Sequence, residues 1–365
     1  MLRRRQFVVG AGALAVAGPL LVGCSTDSPV EAAARRLRRP VAVGASDHAL
    51  LLGELVRQAT LAPSSHNTQC WKFRVQDGLI TIAPDFSRRC PAVDPDDHHL
   101  FVSLGCATEN LAHAALANGL QAGTSFDPAG DGEVVVRLEA TKAHASPLFQ
   151  AIAERQCTRG DYDGRPLSSA ELRLLEQAGS GNGVRLLLLT ERSAMETVLD
   201  YVVSGNTAQI DDPAFVEELK MWIRFSHDEA IRTGDGLFAG ATGNPAVPRW
   251  LGSPMMELFF TAKSENERYA RQIRNSAGIA VFVSEASDKA HWVETGRCYE
   301  RFALQATALG IRNALLNQPV EVTALRPQFA TAIGLGDRRP DLVVRFGRGP
   351  GMPLSMRRPV HSVLV

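Results

Sequence analysis

Two stretches of this chain repeat one another. Residues 105–120 read GCATENLAHAALANGL, and residues 296–311 read GRCYERFALQATALGI. Aligned without gaps, Gly105/Gly296, Glu109/Glu300, Ala112/Ala303, Ala115/Ala306, Ala117/Ala308 and Gly119/Gly310 agree. Both stretches space small and apolar residues at helical intervals and finish at glycine, as a C-cap does. Each is followed by a strand-like run, residues 134–138 and 342–346. Two unrelated Ala-rich helices are the plainer reading, but glycines matched at both ends favour duplication. A duplicated chain can pack its halves as two subunits would.

The rest of the pattern mixes helices and strands and predicts an α+β fold. A helix is expected over residues 49–60, strands over 71–75 and 79–82, and then the first repeat helix. A helix should open at Ser168 or Ser169, with Glu171 in its first turn. Residues 184–189 read as a strand, 214–233 as helical and 281–283 as strand-like before the second repeat helix. Residues 234–256 are rich in Gly and Pro and read as a long loop, a candidate lid. The expected organisation is a signal over 1–23, a tether over 24–40, and halves over 41–150 and 151–365.

Charge excludes one class of function. Lys plus Arg equals Asp plus Glu at 39 each, so the formal net charge is zero. Nucleic-acid binders draw most of their affinity from basic side chains on phosphates. Here basic residues cluster at the two ends, at 35–39 and at Arg357 and Arg358, with no overall excess, so no nucleic-acid partner is expected. The cysteines show no C-x-x-C spacing, and a chain of 365 residues can bury a core without a disulfide framework. His98, His99 and His113 do not present a ligand set by spacing, and no metal is expected.

The N-terminus reads as an address. Arg3, Arg4 and Arg5 precede an apolar stretch too short for an unambiguous membrane span. Residues 4–8, RRQFV, resemble the twin-arginine export motif. Residues 21–24, LVGC, resemble a bacterial lipobox, in which the cysteine following the cut carries the lipid. These resemblances imply an exported protein anchored through Cys24 in the bacterial envelope, on the periplasmic side. The twin-arginine route carries folded proteins, which suits a chain that binds a loose cofactor before export.

Residues 62–73, APSSHNTQCWKF, carry the sharpest local signal. A helix ends, Ser64, Ser65 and Asn67 crowd a turn, and a strand begins at Trp71. Such a turn leaves backbone amides free for a ligand, although capping serines at an ordinary turn look the same. The stretch resembles the flavin-binding turn of the nitroreductase family, A-P-S-S-x-N-x-Q-P-W-x-F, with Cys70 in place of the second proline. Residues 155–159, RQCTR, followed by Asp161 and Tyr162, resemble the family's R-x-S-x-R-x-F signature. Arg357 and Arg358 resemble its C-terminal basic pair, and residues 317–321, NQPVE, fall where the family has a loop facing the flavin.

The resemblance implies a nitroreductase-like fold with FMN as cofactor. It assigns Ser64, Ser65, Asn67 and Gln69 to the flavin ring and ribityl chain. Arg155, Thr158, Arg159, Arg357 and Arg358 go to the phosphate, and Gln318 to the reactive edge of the ring. Guanidinium forks suit phosphate oxygens. Cys70 is read as a small apolar filler. The Ser-Ser-x-Asn turn occurs only in the first half and the arginine signatures only at 155–159 and beyond. This resembles the double-length, Acg-type branch, a monomer folded as an internal pseudo-dimer with one complete site. The implied activity is reduction of a small acceptor, of the nitroaromatic or quinone class, with no catalytic side chain required. The alternative is a protein that holds or sequesters flavin without turnover, since export removes it from cytoplasmic NAD(P)H.

Overall fold

The computed structural model describes residues 28–39 and 48–365. The export signal and Cys24 lie outside them. The first half contains α1 (Pro29–Leu37), α2 (His48–Ala59), β1 (Trp71–Gln76), β2 (Leu79–Pro84), α3 (His98–Ala117), β3 (Leu120–Asp127), β4 (Glu133–Ala140) and α4 (Pro147–Ala151). The second begins with α5 (Ser169–Ala178), β5 (Val184–Leu189), α6 (Arg192–Ile210), α7 (Pro213–Trp222), β6 (Ile223–Arg224), α8 (His227–Thr233), β7 (Leu237–Phe238) and α9 (Arg249–Phe259). It continues through α10 (Ala262–Arg274), β8 (Gly278–Ser284), α11 (Lys289–Ala308), β9 (Arg312–Leu315), α12 (Gln318–Glu321), α13 (Arg326–Ala332) and β10 (Pro340–Gly347). The fold is α+β.

Each half builds a four-stranded antiparallel sheet with the same connectivity. The strand orders are β1-β2-β4-β3 and β5-β8-β10-β9, with α3 joining β2 to β3 and α11 joining β8 to β9. Local chemistry sets the register. Trp71 and Phe73 point into the core while Lys72 and Arg74 face outward. The two-residue turn Asp77-Gly78, with Gly78 at φ +69°, returns the chain into β2. In the second sheet β8 and β10 are buried along their whole length. Phe282, Leu342 and Val344 face the main core, whereas Val281, Val283 and Val343 face a second core under α6 and α13. Both faces are covered, which is why these strands read as continuous apolar runs.

The repeat helices α3 and α11 pack against each other at their matched glycines. A Cβ at Gly105 would lie 1.9 Å from the Val293 carbonyl oxygen, and one at Gly296 would lie 1.9 Å from that of Val102. Each contact is the mate of the other, as in an isologous dimer interface. Only glycine allows two backbones so close. The halves are also interlocked. The C-terminal tail bonds the first sheet, with Phe73 N donating to Val363 O at 2.8 Å and Val365 N to Phe73 O at 3.0 Å. Within the second half, Thr158 N donates to Asn313 O at 2.8 Å, which holds the segment of the arginine signature at the edge of the second sheet.

Three local expectations need correction. Residues 29–37, within the expected tether, form α1. Ser28 and Glu31 close a capping box around Pro29, and Val30, Ala33 and Ala34 bury against Phe238, Leu354 and Met356. The helical region 214–233 is two helices, because the chain extends through Ile223 and Arg224 to pair with Leu237 and Phe238. The Gly- and Pro-rich loop contains β7, a single 3-10 turn and α9, which carries Pro254 inside it.

Candidate functional site

A cavity of about 370 Å³ lies where the two halves meet. The first half contributes Ser64, Ser65, His66 and residues of α3. The second contributes Arg159, Tyr269, Asn317 and Gln318. Met255, Met256, Phe259 and Phe260, from α9 and its end, cover it with apolar side chains, and Asn244, Pro245 and Val247 of the preceding segment add to the wall.

The turn over 64–69 is held in a sparsely populated backbone conformation. His66, Asn67 and Gln69 have φ of 48°, 55° and 55°. Three non-glycine residues with positive φ in one turn need strong fixing from outside. Asn67 Nδ2 donates to Gly236 O at 2.9 Å and to Met356 O at 3.2 Å, and Gly236 N donates back to Asn67 O at 3.1 Å. Gln69 Nε2 donates to Gly234 O at 2.9 Å, and Gln69 Oε1 accepts from Arg358 N at 2.8 Å. Ser64 Oγ accepts from Gln69 N at 2.8 Å. Asn67 and Gln69, assigned by resemblance to the flavin, are thus buried clamps that tie the turn to the covering segment and the tail. Ser64 and Ser65 face the cavity.

The arginines separate in the same way. Arg159 lines the cavity, and among the described residues its guanidinium has no hydrogen-bond or ion-pair partner. Arg155 is buried, with Nε 3.0 Å from Glu300 Oε1 and Nη2 donating to Leu61 O at 2.9 Å. Burial works against the Arg155 charge, but Glu300 and the other acidic groups around it, Cys157 and Tyr299 among them, together raise it above the ordinary arginine value. Burial pushes the Glu300 carboxyl up, with Arg155 and Arg357 pulling it back, to about 7. Arg357 donates to Thr60 O, Leu61 O and Ala62 O at 2.7, 2.9 and 3.0 Å. These carbonyls follow directly on the last turn of α2, so Arg155 and Arg357 place positive charge just beyond the C-terminus of that helix. Arg357 and Arg358 border a separate cleft of about 610 Å³ beside α2. Thr158 is fully buried; its carbonyl accepts from Tyr162 Oη at 2.9 Å and from Arg345 at 3.2 Å. Of the residues assigned by resemblance, Ser64, Ser65, Arg159 and Gln318 share the cavity. Asn67, Gln69, Arg155, Thr158, Arg357 and Arg358 stand behind it or away from it. We place the site in the cavity rather than the cleft, because signature residues of both halves converge only there.

Unpartnered polar groups mark the cavity as a place for a polar ligand. Gln318 Oε1 and His66 Nε2 are buried without hydrogen-bond partners. Gln318 reaches this position because Gly205 on α6 admits it; a Cβ there would lie 2.8 Å from the Gln318 carbonyl. Burial, with Arg159 adding to it, pushes the His66 imidazole down to about 4. Burial pushes the Cys70 thiol up to about 12, so it stays protonated. His113 has a carboxylate four residues back after all, Glu109, at 3.4 Å. Burial alone would raise Glu109, but the neighbouring His113 imidazole and the Arg301 and Arg297 guanidiniums hold it down at about 2. That pairing belongs to the seam between α3 and α11. His66, His99, Asn206, Gln209, Arg268 and Tyr269 also line the cavity and were not singled out as ligands from sequence. For Asn206 and Gln209 the available signal was a polar residue on the buried face of an otherwise apolar helix.

No family model matches the chain. A protein of Mycobacterium tuberculosis with the provisional name NAD(P)H nitroreductase is 23% identical over 322 residues, covering 84% of this chain and 88% of that protein. A second protein of that organism, uncharacterized by name, is 22% identical over 347 residues, covering 86% and 92%. Among solved structures, a nitroreductase with bound FMN from Desulfitobacterium hafniense aligns with 58% of this chain and 93% of its own, at 15% identity and a TM-score of 0.38. An FMN-dependent nitroreductase of Mycobacterium smegmatis in complex with NADPH aligns with 56% and 87%, at 11% identity and a TM-score of 0.36. The structural likenesses are distant. Along most of its length, at low identity, the chain is similar to a mycobacterial protein provisionally named as a nitroreductase.

Proposed function

We propose that the chain is an FMN-dependent oxidoreductase of nitroreductase type that reduces a small acceptor, of the nitroaromatic or quinone class. The observation that carries this is one cavity in which Ser64 and Ser65 of the first half meet Arg159 and Gln318 of the second. Arg159 is an uncommitted guanidinium suited to the flavin phosphate. Gln318 and His66 bring polar atoms that lack partners. The cavity volume lies within the range of small-molecule sites. The bound flavin supplies the electron transfer, and the protein supplies binding, orientation and exclusion of water. The strained turn fixes the serines, and the Asn67 and Gln69 clamps couple that turn to the covering segment.

The same reading makes the protein a monomer built as a pseudo-dimer, of the double-length branch. It places the chain on the periplasmic side of the envelope, exported by the twin-arginine route and anchored by lipid on Cys24. A second reading is favoured by the Met- and Phe-rich cover: a flavin-holding protein without turnover. The absorption spectrum of the purified protein, with mass identification of the chromophore, tests the cofactor. Stopped-flow mixing with NADH, NADPH and dithionite tests the chemistry. Reduction by a nicotinamide followed by reoxidation with a quinone or nitroaromatic is expected. Reduction by dithionite alone would leave only the flavin-holding reading, and a colourless protein would remove both.

A further inference from the structure

At the start of α3 a second set of groups plays no part in flavin binding as proposed above. Asp94, His98 and His99 each offer one metal-binding atom, and these atoms lie within 4.8 Å of one another. All three side chains are buried. Hydrogen bonds on the far side of each ring fix the tautomers. His99 Nε2 lies 3.4 Å from the backbone carbonyl oxygen of Asp341, which can only accept. His98 Nε2 lies 2.9 Å from the Asp341 carboxylate. With the proton on Nε2 in both rings, each Nδ1 is a lone pair. Both Nδ1 atoms are buried and meet no hydrogen-bond partner. A buried polar atom left unpaired costs about 1–3 kcal/mol.

The carboxylates are prepared in the same manner. Asp94 accepts from His99 N at 3.0 Å and Leu100 N at 2.9 Å, which locks its orientation. Its Oδ1 is 3.8 Å from His99 Nδ1, too long for a hydrogen bond but suited to two ligands of one ion. Glu321 Oε1 is 4.0 Å from the same nitrogen, and Gln209 Nε2 holds Glu321 Oε2 at 2.7 Å. A histidine that donates to a carboxylate or carbonyl through its other nitrogen is the usual support of a metal ligand. Bonds of about 2.0–2.2 Å around a tetrahedral ion put ligand atoms about 3.4 Å apart, so loading would draw Asp94, His98 and His99 together by about an ångström, and Glu321, which lies outside that cluster, would swing in beside them.

We propose that Asp94, His98 and His99 bind one divalent first-row transition ion, with Glu321 completing the shell on the cavity side. Two imidazoles with two carboxylates suit zinc or ferrous iron better than calcium or magnesium. Asp94 and both histidines belong to the first half. Glu321, Gln209 and Asp341 belong to the second, so the ion ties the halves together beside the cavity that His99, Gln209 and Glu321 line.

The test uses the full chain without an affinity tag, stripped with a chelator and titrated with zinc chloride. One equivalent of zinc per chain is expected. Zinc-edge X-ray absorption of that sample should show a nitrogen- and oxygen-only shell with the outer scattering of two imidazoles. His99→Gln should weaken zinc binding by roughly 100-fold or more, and Gln209→Ala by roughly 10-fold, with circular dichroism and flavin content measured on the same preparations. Sub-stoichiometric uptake by the wild-type chain, a spectrum without imidazole, or unchanged affinity in a folded His99→Gln protein would overturn the assignment. The wild-type spectrum decides alone if the variants fail to fold. None of these readouts depends on whether flavin is bound.

Discussion

Arg155 and Arg159 lie four residues apart, and among the described residues only the Arg155 guanidinium has partners. Arg155→Ala strands the Glu300 carboxyl in the core, a loss of about 3–5 kcal/mol that thermal unfolding will register. Arg159→Ala leaves the melting temperature of the flavin-free protein unchanged but weakens FMN by about 1.5–3 kcal/mol, roughly 10- to 150-fold, in a fluorescence titration. Equal loss of FMN from both variants at unchanged melting temperature would restore a shared phosphate role. His66 adds a pH dependence. Its imidazole takes a proton near 6.5 when unfolded and near 4 when folded, so the unfolded state binds more protons between those values. The stability owed to neutral His66 is full above pH 6.5 and is lost as pH falls through 4. Denaturant titrations at pH 7 and pH 4 should show the wild type losing about 3 kcal/mol more than His66→Gln. Of the residues named by sequence motifs, Ser64, Ser65, Arg159 and Gln318 line the cavity. The motifs did not show that Arg155 meets Glu300 and that Arg357 meets the carbonyls of residues 60–62, since a spacing pattern does not reveal which carbonyls or carboxylates a guanidinium meets.

At the scale of the element, the crossing of α3 and α11 is the tightest constraint. Gly105→Ala or Gly296→Ala drives a methyl group into a backbone carbonyl, and neither backbone can yield without moving the other half. Each substitution should cost about 3 kcal/mol or more and loosen the cavity, read as a lower denaturant midpoint together with weaker FMN binding. Gly53 on α2, where an added Cβ meets nothing, serves as the control; Gly53→Ala should be neutral or stabilising. Elements with clean patterns were legible. α5 opens at Ser168 with its Glu171 capping box, β5 spans Val184–Leu189, and both repeat helices end just before Gly119 and Gly310, although each begins well ahead of its first matched glycine. β3 was hidden because LQAGTSFD carries too many small and polar residues to alternate visibly. α6 did carry a signal, Met195, Val198, Leu199 and Val202 at helical spacing, and could have been found. α10 is polar overall, with Gln272 and Ile273 buried, but its apolar residues recur at helical spacing behind the Thr261 cap, so it too could have been found.

For the whole molecule, duplication predicts how the chain should respond to being cut. Residues 141–145 form an exposed link between β4 and α4. Scission there leaves a fragment with the first sheet and one with the second, and few local bonds are lost. What holds the fragments is non-local. α3 packs on α11, Arg357 caps α2, Gln69 binds Gly234 O and the Arg358 amide, and the C-terminal tail bonds Phe73. These contacts bury apolar surface of the kind found at permanent subunit interfaces. A protease site placed at 141–145 should therefore give a nicked protein that elutes as one species of unchanged size, keeps its flavin and separates only on denaturation. Separate elution of the fragments under native conditions would show that the covalent link, and not the seam, holds the halves together. Nicking followed by removal of the last three residues, which takes away Val363 and its bond to Phe73 N, should loosen the pair without touching the cavity. Faster fragment exchange with isotopically labelled first half would measure that loosening directly, and it should appear before any loss of flavin.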